Sequence, residues 1–409
     1  MLKRIIKNFI MVFVPVFFIC CSSGSDDTEE INDSKDDIMP LEIKDIAYPV
    51  VYANFQRNSL VPVEMKSTWN PLWSRRYIEI NEELIVTPYA VQIKDNIVGI
   101  RSETDMLFYD AGGNFKNQLP VSGAGELIFG RRAFTYLSPS LQFTCQDYEG
   151  NVVGSPTVLP RLTDWAGALM IKPTLDDVLA AVRFSGGPMH DPRKYYVYRF
   201  LQKDGSLKWF HEFDGDADLA LLTNDGGTIV LVRRNEAVLF GADEGDINNT
   251  FNLGIETFIN ASLDTGDNLL VLGEKTEDGQ TQKLLKAFSL SGEELWTHPL
   301  MNLQLKQPPA CGTDGRVYII DSMQLQCIID GEIKWAAMLK PAEDNRLTIT
   351  GDNHAVVING SLLCLFNPDG EKVYERLITK TDDSFYAPPA IDKEGRIFVA
   401  GQDALYCFE

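Results

Sequence analysis

Side chains able to do chemistry are thinly spread in this 409-residue chain, and their spacing is poor. The histidines, His190, His211, His298 and His354, stand singly, with no H-x-H, H-E-x-x-H or Cys/His spacing to bring two ligands to one metal. Asp214, Asp216 and Asp218 imitate the start of a calcium loop, in which alternate carboxylates in a tight turn converge on one cation. The imitation fails at Leu219, where such a loop needs glycine, and at its last ligand place, where Asp225 stands instead of glutamate. An acidic loop between strands is the plainer reading, with calcium a weak alternative. No phosphate-cradling G-x-x-x-x-G-K-S/T and no G-x-S-x-G elbow occurs, and SGAGELIFG at 122 lacks the third glycine of a dinucleotide fingerprint. With 58 acidic residues, no carboxylate pair stands out as an acid and base. The sequence therefore predicts no catalytic residue, no cofactor and no enzyme.

What recurs instead is a turn, a glycine and an aromatic four residues later. DGSLKWFHEF at 204, SGEELWTHPL at 291, DGEIKWAAML at 330 and DGEKVYERLI at 369 are four instances. Trp296, Trp335 and Tyr374 are 39 residues apart each time, and Phe251 divides the 87 residues between Trp209 and Trp296 into 42 and 45. A second marker, a polar turn feeding a short aliphatic run, keeps step with it: DGRVYII at 314, GDNHAVVI at 351, EGRIFVAG at 394, and earlier DGGTIVLV, GDNLLVLG, DDVLAAVR, GELIFG and KDNIVGI. Each run is followed by another apolar strand, such as LQCII or LLCLF, and then by the aromatic strand. Four short strands in about forty residues are the mark of a β-propeller blade. The expectation is an all-β fold of eight four-stranded antiparallel blades, with seven as the alternative. Such a ring leaves no exposed sheet edges at its ends.

The eighth unit finishes at ALYCFE without a fourth strand, so an upstream segment must supply it. RRYIEIN, residues 75–81, and LIVTPYAV, residues 84–91, are the candidates, one completing the last blade and the other opening the first. The aromatics Trp209, Phe251, Trp296, Trp335 and Tyr374 are expected between neighbouring blades, because a position that accepts any large ring does not suit a cofactor-stacking site. Cys327, Cys364 and Cys407 fall at matching places in successive strands, too far apart for the roughly 4.4 to 6.8 Å between Cα atoms that a disulfide requires. They read as small buried hydrophobes.

The N-terminus reads as an export signal. Lys3, Arg4 and Lys7 precede an apolar run over 9–19, too short to span a bilayer, and small residues follow. The ending FICC is similar to a bacterial lipobox, which makes Cys21 the lipid-bearing residue; an ordinary cleaved signal is the alternative. That divides the chain into a signal over 1–20, an acidic tether over 21–40 and one propeller domain over 41–409. The acidic run after the cysteine also resembles surface-export signals of some Gram-negative lipoproteins. A net charge of −21 with no basic stripe argues against a nucleic-acid partner.

PPACGTDGRVY at 308–318 and PPAIDKEGRIF at 388–398, together with the tryptophan-bearing turns, resemble the repeats of quinoprotein-like (PQQ-like) β-propellers. The resemblance is clear from about residue 203 onward. Within that superfamily a lipid-anchored single-domain chain is similar in architecture to the propeller lipoproteins of outer-membrane β-barrel assembly. It implies a non-catalytic scaffold that holds another envelope protein or surface component, on the periplasmic or the cell-surface face. The quinoprotein dehydrogenases of the superfamily imply an alternative, in which a quinone-dependent or polysaccharide-acting propeller uses its central channel. Their quinone sites use a stacking tryptophan, an adjacent Cys-Cys disulfide and calcium, whereas the adjacent pair here, Cys20 and Cys21, lies in the signal. Partner-binding candidates lie where the repeat is broken. One break is FSGGPMHDPRKYY at 184–196, with His190, Asp191, Arg193 and Lys194; the other is STWNPLWSRR at 67–76, with Trp69, Trp73, Arg75 and Arg76. The plainer readings are a long loop and an N-terminal strap packed on the ring.

Overall fold

The computed structural model describes residues 60–409 except 66–68, 78–89, 95, 103–104, 121–127, 130–132, 138–141, 148–150, 153–156, 159–165, 174–176, 185–193, 202–206, 215–217, 302–306, 342–344 and 380–382. The described strands form eight sheets, numbered here in chain order, and no α-helix. Each contains four antiparallel strands, and in sheets 1 to 7 these four are consecutive in sequence. Sheet 6, for example, runs Ala310–Cys311, Val317–Asp321, Gln324–Ile329, Glu332–Met338.

The strand chemistry follows from position. Second strands such as Val317–Asp321 and Ala355–Asn359 are buried along their whole length, and third strands such as Gln324–Ile329 through their middle, because a sheet with a neighbour on each side has no solvent face. Fourth strands alternate: Ile247–Asn252 and Lys372–Leu377 turn every second residue to solvent. First strands of successive sheets touch one another in several pairs, and that of sheet 1, Ala90–Lys94, touches the first two strands of sheet 8. The first strands are thus the inner ends of the sheets and the fourth strands the outer edges. Buried clusters lie between sheets: one is built from Tyr318, Leu325 and Cys327 of sheet 6 with Ile349, Val357 and Cys364 of sheet 7.

Sheet 8 comprises Ala390–Ile391, Ile397–Ala400 and Ala404–Phe408, and its fourth strand is Pro71–Arg76, antiparallel to Ala404–Phe408 with Trp73 opposite Cys407. The completing strand therefore starts four residues before the expected RRYIEIN and shares only Arg75 and Arg76 with it. LIVTPYAV contributes its last two residues, Ala90 and Val91, to the first strand of sheet 1. The alternating YIEI pattern suggested a strand, but the register is chosen by where an aromatic must stand on a fourth strand. Sheet 7 carries a fifth strand, Leu60–Val61, parallel to its first strand Arg346–Thr350.

Two further expectations shift by a register step. Cys327 and Cys407 face Trp335 and Trp73, whereas in sheet 7 Leu365 faces Tyr374 and Cys364 faces Glu375. The turn over 367–371 is longer than the Asp330–Gly331 hairpin, whose two residues both have positive φ (50° and 82°). One residue of slip turns a side chain to the opposite face, so Cys364 looks back at sheet 6, in the cluster that holds Cys327. Cys311, Cys327, Cys364 and Cys407 are all free and buried.

Candidate functional site

In sheets 3, 5 and 6 the aromatic of the fourth strand meets the turn between the third and fourth strands of the following sheet. Trp209 covers Gly245, Trp296 covers Gly331 and Trp335 covers Gly370; methyl groups at Gly245 and Gly370 would stand 2.6 and 2.5 Å from the indoles. Glycine at 370 meets two demands at once, a φ of +85° and a bare face for the ring. The indole N–H completes the contact. Trp209 Nε1 donates to the carbonyl of Asp243 at 3.2 Å and Trp335 Nε1 to that of Pro368 at 2.9 Å, in each case two residues before the glycine.

Sheet 4 divides this task between two residues. Asn249 occupies the register of the tryptophans, four after Gly245, and its Nδ2 donates to the Leu290 carbonyl at 3.0 Å. Phe251, two residues further on the same face, supplies the ring that covers Gly292. The aromatic read from spacing as the repeat's counterpart is thus offset by two. The long hairpin of sheet 5, Leu269–Glu277 with Gln280–Phe288, stretches that unit and hides the offset from a spacing count.

In sheets 3, 5 and 8 a cationic or imidazole side chain two residues after the aromatic reaches the glycine's own carbonyl. His211 Nε2 lies 2.5 Å from Gly245 O, His298 Nδ1 2.8 Å from Gly331 O, and Arg75 Nε donates to Gly113 O at 3.0 Å. Since a carbonyl only accepts, those imidazole nitrogens carry the proton. Two of the four histidines are therefore engaged between sheets.

WNPLW, residues 69–73, is the eighth copy of the motif. Trp73 Nε1 donates to Ala111 O at 3.2 Å, and a methyl at Gly113 would stand 2.8 Å from its ring, so sheet 8 meets sheet 1 as sheets 3 and 6 meet their successors. Trp69 stands where the other copies have glycine. No hairpin links Phe408 to Pro71; Asn70 and Glu409 exchange backbone bonds of 2.6 and 2.9 Å instead, so no positive φ is demanded there. Trp69 is fully buried edge-on against Tyr374, at a centroid distance of 5.1 Å, and its carbonyl accepts from Tyr374 OH at 2.5 Å and Arg376 Nη1 at 3.2 Å.

The structure places the remaining candidates as follows. Trp69, Trp73 and Arg75 are engaged within the chain, and Arg76 is exposed at the end of the completing strand. His190, Asp191 and Arg193 lie outside the described residues, as do Asp216, Cys21 and the whole signal and tether; Lys194 opens the third strand of sheet 3 and Asp214 ends its fourth. The carboxylate of Asp218 accepts the Arg234 N–H at 2.7 Å. Among the described residues no three His, Cys, Asp or Glu side chains group as a metal site.

Among the described residues no quinone site of the kind the resemblance implies, an indole stacked beside a disulfide of adjacent cysteines, is assembled. The described indoles are each applied to backbone or to Tyr374 at the outer part of the sheets, and the described cysteines are unpaired in separate strands. The inner edge of sheet 7 is taken by Leu60–Val61. The outer edge is different: fourth strands expose Leu72 (49%), Ile247 (52%), Leu295 (44%), Ile333 (48%) and Val373 (48%).

No protein-family model matches the sequence, and no curated protein matches it. Solved structures do. BamB from Moraxella catarrhalis aligns at 12% identity over 84% of this chain and 98% of its own, with a TM-score of 0.53. The quinohemoprotein alcohol dehydrogenase ADHIIG from Pseudomonas putida HK5 aligns at 10% identity over 91% and 81%, with a TM-score of 0.63. The Dos1 propeller aligns at 10% identity over 83% and 95%, with a TM-score of 0.57. At such identities the likeness is one of fold. The chain has an all-β propeller fold, and in that fold it resembles BamB.

Proposed function

We propose that this chain is an eight-bladed propeller whose ring is closed by residues 71–76, carried on the outer membrane by a lipid on Cys21, and that it serves as a non-catalytic scaffold for another envelope protein or surface component. In this reading residues 1–20 are removed as a signal, 21–40 are a tether and 41–409 are the propeller. The observation that carries it is the row of exposed aliphatic side chains on the outer strands, Leu72, Ile247, Leu295, Ile333 and Val373. Each sits on the last strand of its sheet, where backbone groups can pair with an added strand. An exposed aliphatic side chain recurs near the start of the last strand in five sheets of an acidic protein, and that repetition is what the reading takes as an interaction surface. The likeness of fold to BamB accords with the scaffold role that the sequence resemblance implies.

Purification of the tagged full chain from envelope fractions tests this. A partner should be recovered with wild type and lost when Leu295 and Ile333 are changed together to Glu. Recovery undiminished by that change would move the surface elsewhere, and no partner under any extraction would refute the scaffold. Cys21→Ala should release the protein from membranes; continued retention would remove the lipid anchor from the reading.

A second reading, an enzyme working at the inner ends of the sheets, has the dehydrogenase neighbour in its favour. It predicts quenching of tryptophan fluorescence on adding pyrroloquinoline quinone with calcium, and quinone-dependent dye reduction with alcohols. The scaffold reading expects neither.

A further inference from the structure

The inner edge of sheet 7 holds a feature that the other described sheets lack. Leu60 and Val61 run parallel to its first strand, opposite Ile349 and Thr350. The backbone continues in contact: Gly351 N donates to Val63 O at 3.0 Å, and Met65 N donates to Asp352 Oδ2 at 3.2 Å. Val61 is fully buried in the cluster shared by sheets 7, 8 and 1, while Leu60 packs on the cluster between sheets 6 and 7. Alternate side chains thus enter pockets on either side of the sheet, which is how an added strand is read.

The turn beside it is shaped for that visitor. A Cβ at Gly351 would stand 3.3 Å from the Pro62 backbone, so a larger residue would press the segment off. In sheet 4 the corresponding carboxylate, Asp225, accepts the Thr223 hydroxyl at 2.7 Å and caps its own turn through the Gly227 N–H at 2.8 Å. Asp352 likewise accepts the Thr350 hydroxyl, at 2.5 Å, with one oxygen, but turns the other to Met65 N–H, 3.2 Å away, and to His354 Nδ1, 3.0 Å away. Sheet 7 is complete without its visitor, since Arg346–Thr350 is fully laddered to Ala355–Asn359 on its other side.

We propose that the inner edge of sheet 7 is a strand-accepting site for an extended aliphatic peptide, and that residues 60–65 fill it as a removable internal occupant. The ligand is a parallel-running segment with a small branched side chain at the Val61 place and a backbone N–H at the Met65 place. Proline suits the position between, because the Pro62 nitrogen needs no partner. The site is separate from the outer-strand surface, so partner capture there and peptide binding here stand or fall independently.

Hydrogen exchange on the full wild-type chain tests removability without any variant. The Val63 and Met65 amides should exchange ~100-fold or more faster than those of Val356 to Ile358, through local opening rather than global unfolding. Exchange at the same rate would make the segment an integral strand and overturn the proposal. Binding is read with a fluorescent peptide of sequence SLVPVEM. Full-length Val61→Asp should bind it and wild type should not, whereas the double variant Val61→Asp with Gly351→Val should lose at least tenfold in affinity. A Val61→Asp chain whose Val356 to Ile358 amides stay protected and which still binds no peptide would refute the site.

Discussion

At the residue scale the molecule repeats one device, a ring laid on a glycine, and the glycines separate what the backbone requires from what the ring requires. Gly315 and Gly370 have φ of +79° and +85°, so alanine at either is strained by about 1–2 kcal/mol. A Cβ at Gly315 meets nothing within 4 Å, whereas at Gly370 it stands 2.5 Å from the Trp335 indole. Gly370→Ala should therefore cost about 1–3 kcal/mol more than Gly315→Ala, since overpacking adds to the backbone term. Urea unfolding of the two variants measures the difference, and equal losses would mean that the indole yields freely. The tryptophan–glycine spacing was legible because both partners of one turn lie in a short stretch. The role of Asn249 was not, because an amide and a phenyl ring two residues apart share one tryptophan's two functions, and neither alone looks like the motif.

At the element scale the turn that receives Trp73 is held by a carboxylate. Asp110 accepts from the Asn114 backbone N–H at 2.9 Å and from its Nδ2 at 3.1 Å, and Lys116 Nζ lies 3.0 Å away. Burial works upward on this carboxyl, but the Asn114 bonds and Lys116 outweigh it and hold the pKa at about 2. An unfolded aspartate titrates near 3.9. The folded value is the lower one, so this contribution to stability is present above about 4 and is lost as pH falls toward about 2. Thermal unfolding of wild type and Asp110→Asn across that window should converge at its acid end; a constant gap would place the acid sensitivity elsewhere. Strand identity was largely readable in the sequence, since buried second strands such as Val317–Asp321 and Ala355–Asn359 are short, mainly aliphatic and aromatic runs. The eighth fourth strand was misplaced because Trp69 replaces the glycine that marks every other copy, and it can do so because hydrogen bonds to Glu409 stand in for a hairpin. Register within strands escaped as well: the longer turn at 367–371 turns Cys364 to the other face, and no strand-level pattern records turn length.

At the scale of the whole molecule, the two ends of the described chain meet twice over. Pro71–Arg76 completes sheet 8, and its Trp73 and Arg75 reach Ala111 and Gly113 of sheet 1, so the step from sheet 8 to sheet 1 uses the bonds that the middle steps use. If the proposed ring is closed, sheets 1 and 8 are not ends and should be as well protected as sheets 5 and 6. In an open stack each terminal sheet packs on one neighbour only, and terminal units of such arrays open first. Hydrogen exchange separates the cases: Ile397–Ala400 and Ile97–Arg101 should exchange with the same dependence on denaturant as Val317–Asp321, through one cooperative opening. Trp73→Ala should convert the ring to the stack. Its cost, of order 3–5 kcal/mol for a large aromatic, should then appear as selective loss of protection in sheets 8 and 1, while Trp335→Ala should open sheets 6 and 7 instead. Early exchange of sheets 1 and 8 in the wild type would show that the meeting of Trp73 with Gly113 is not a closure.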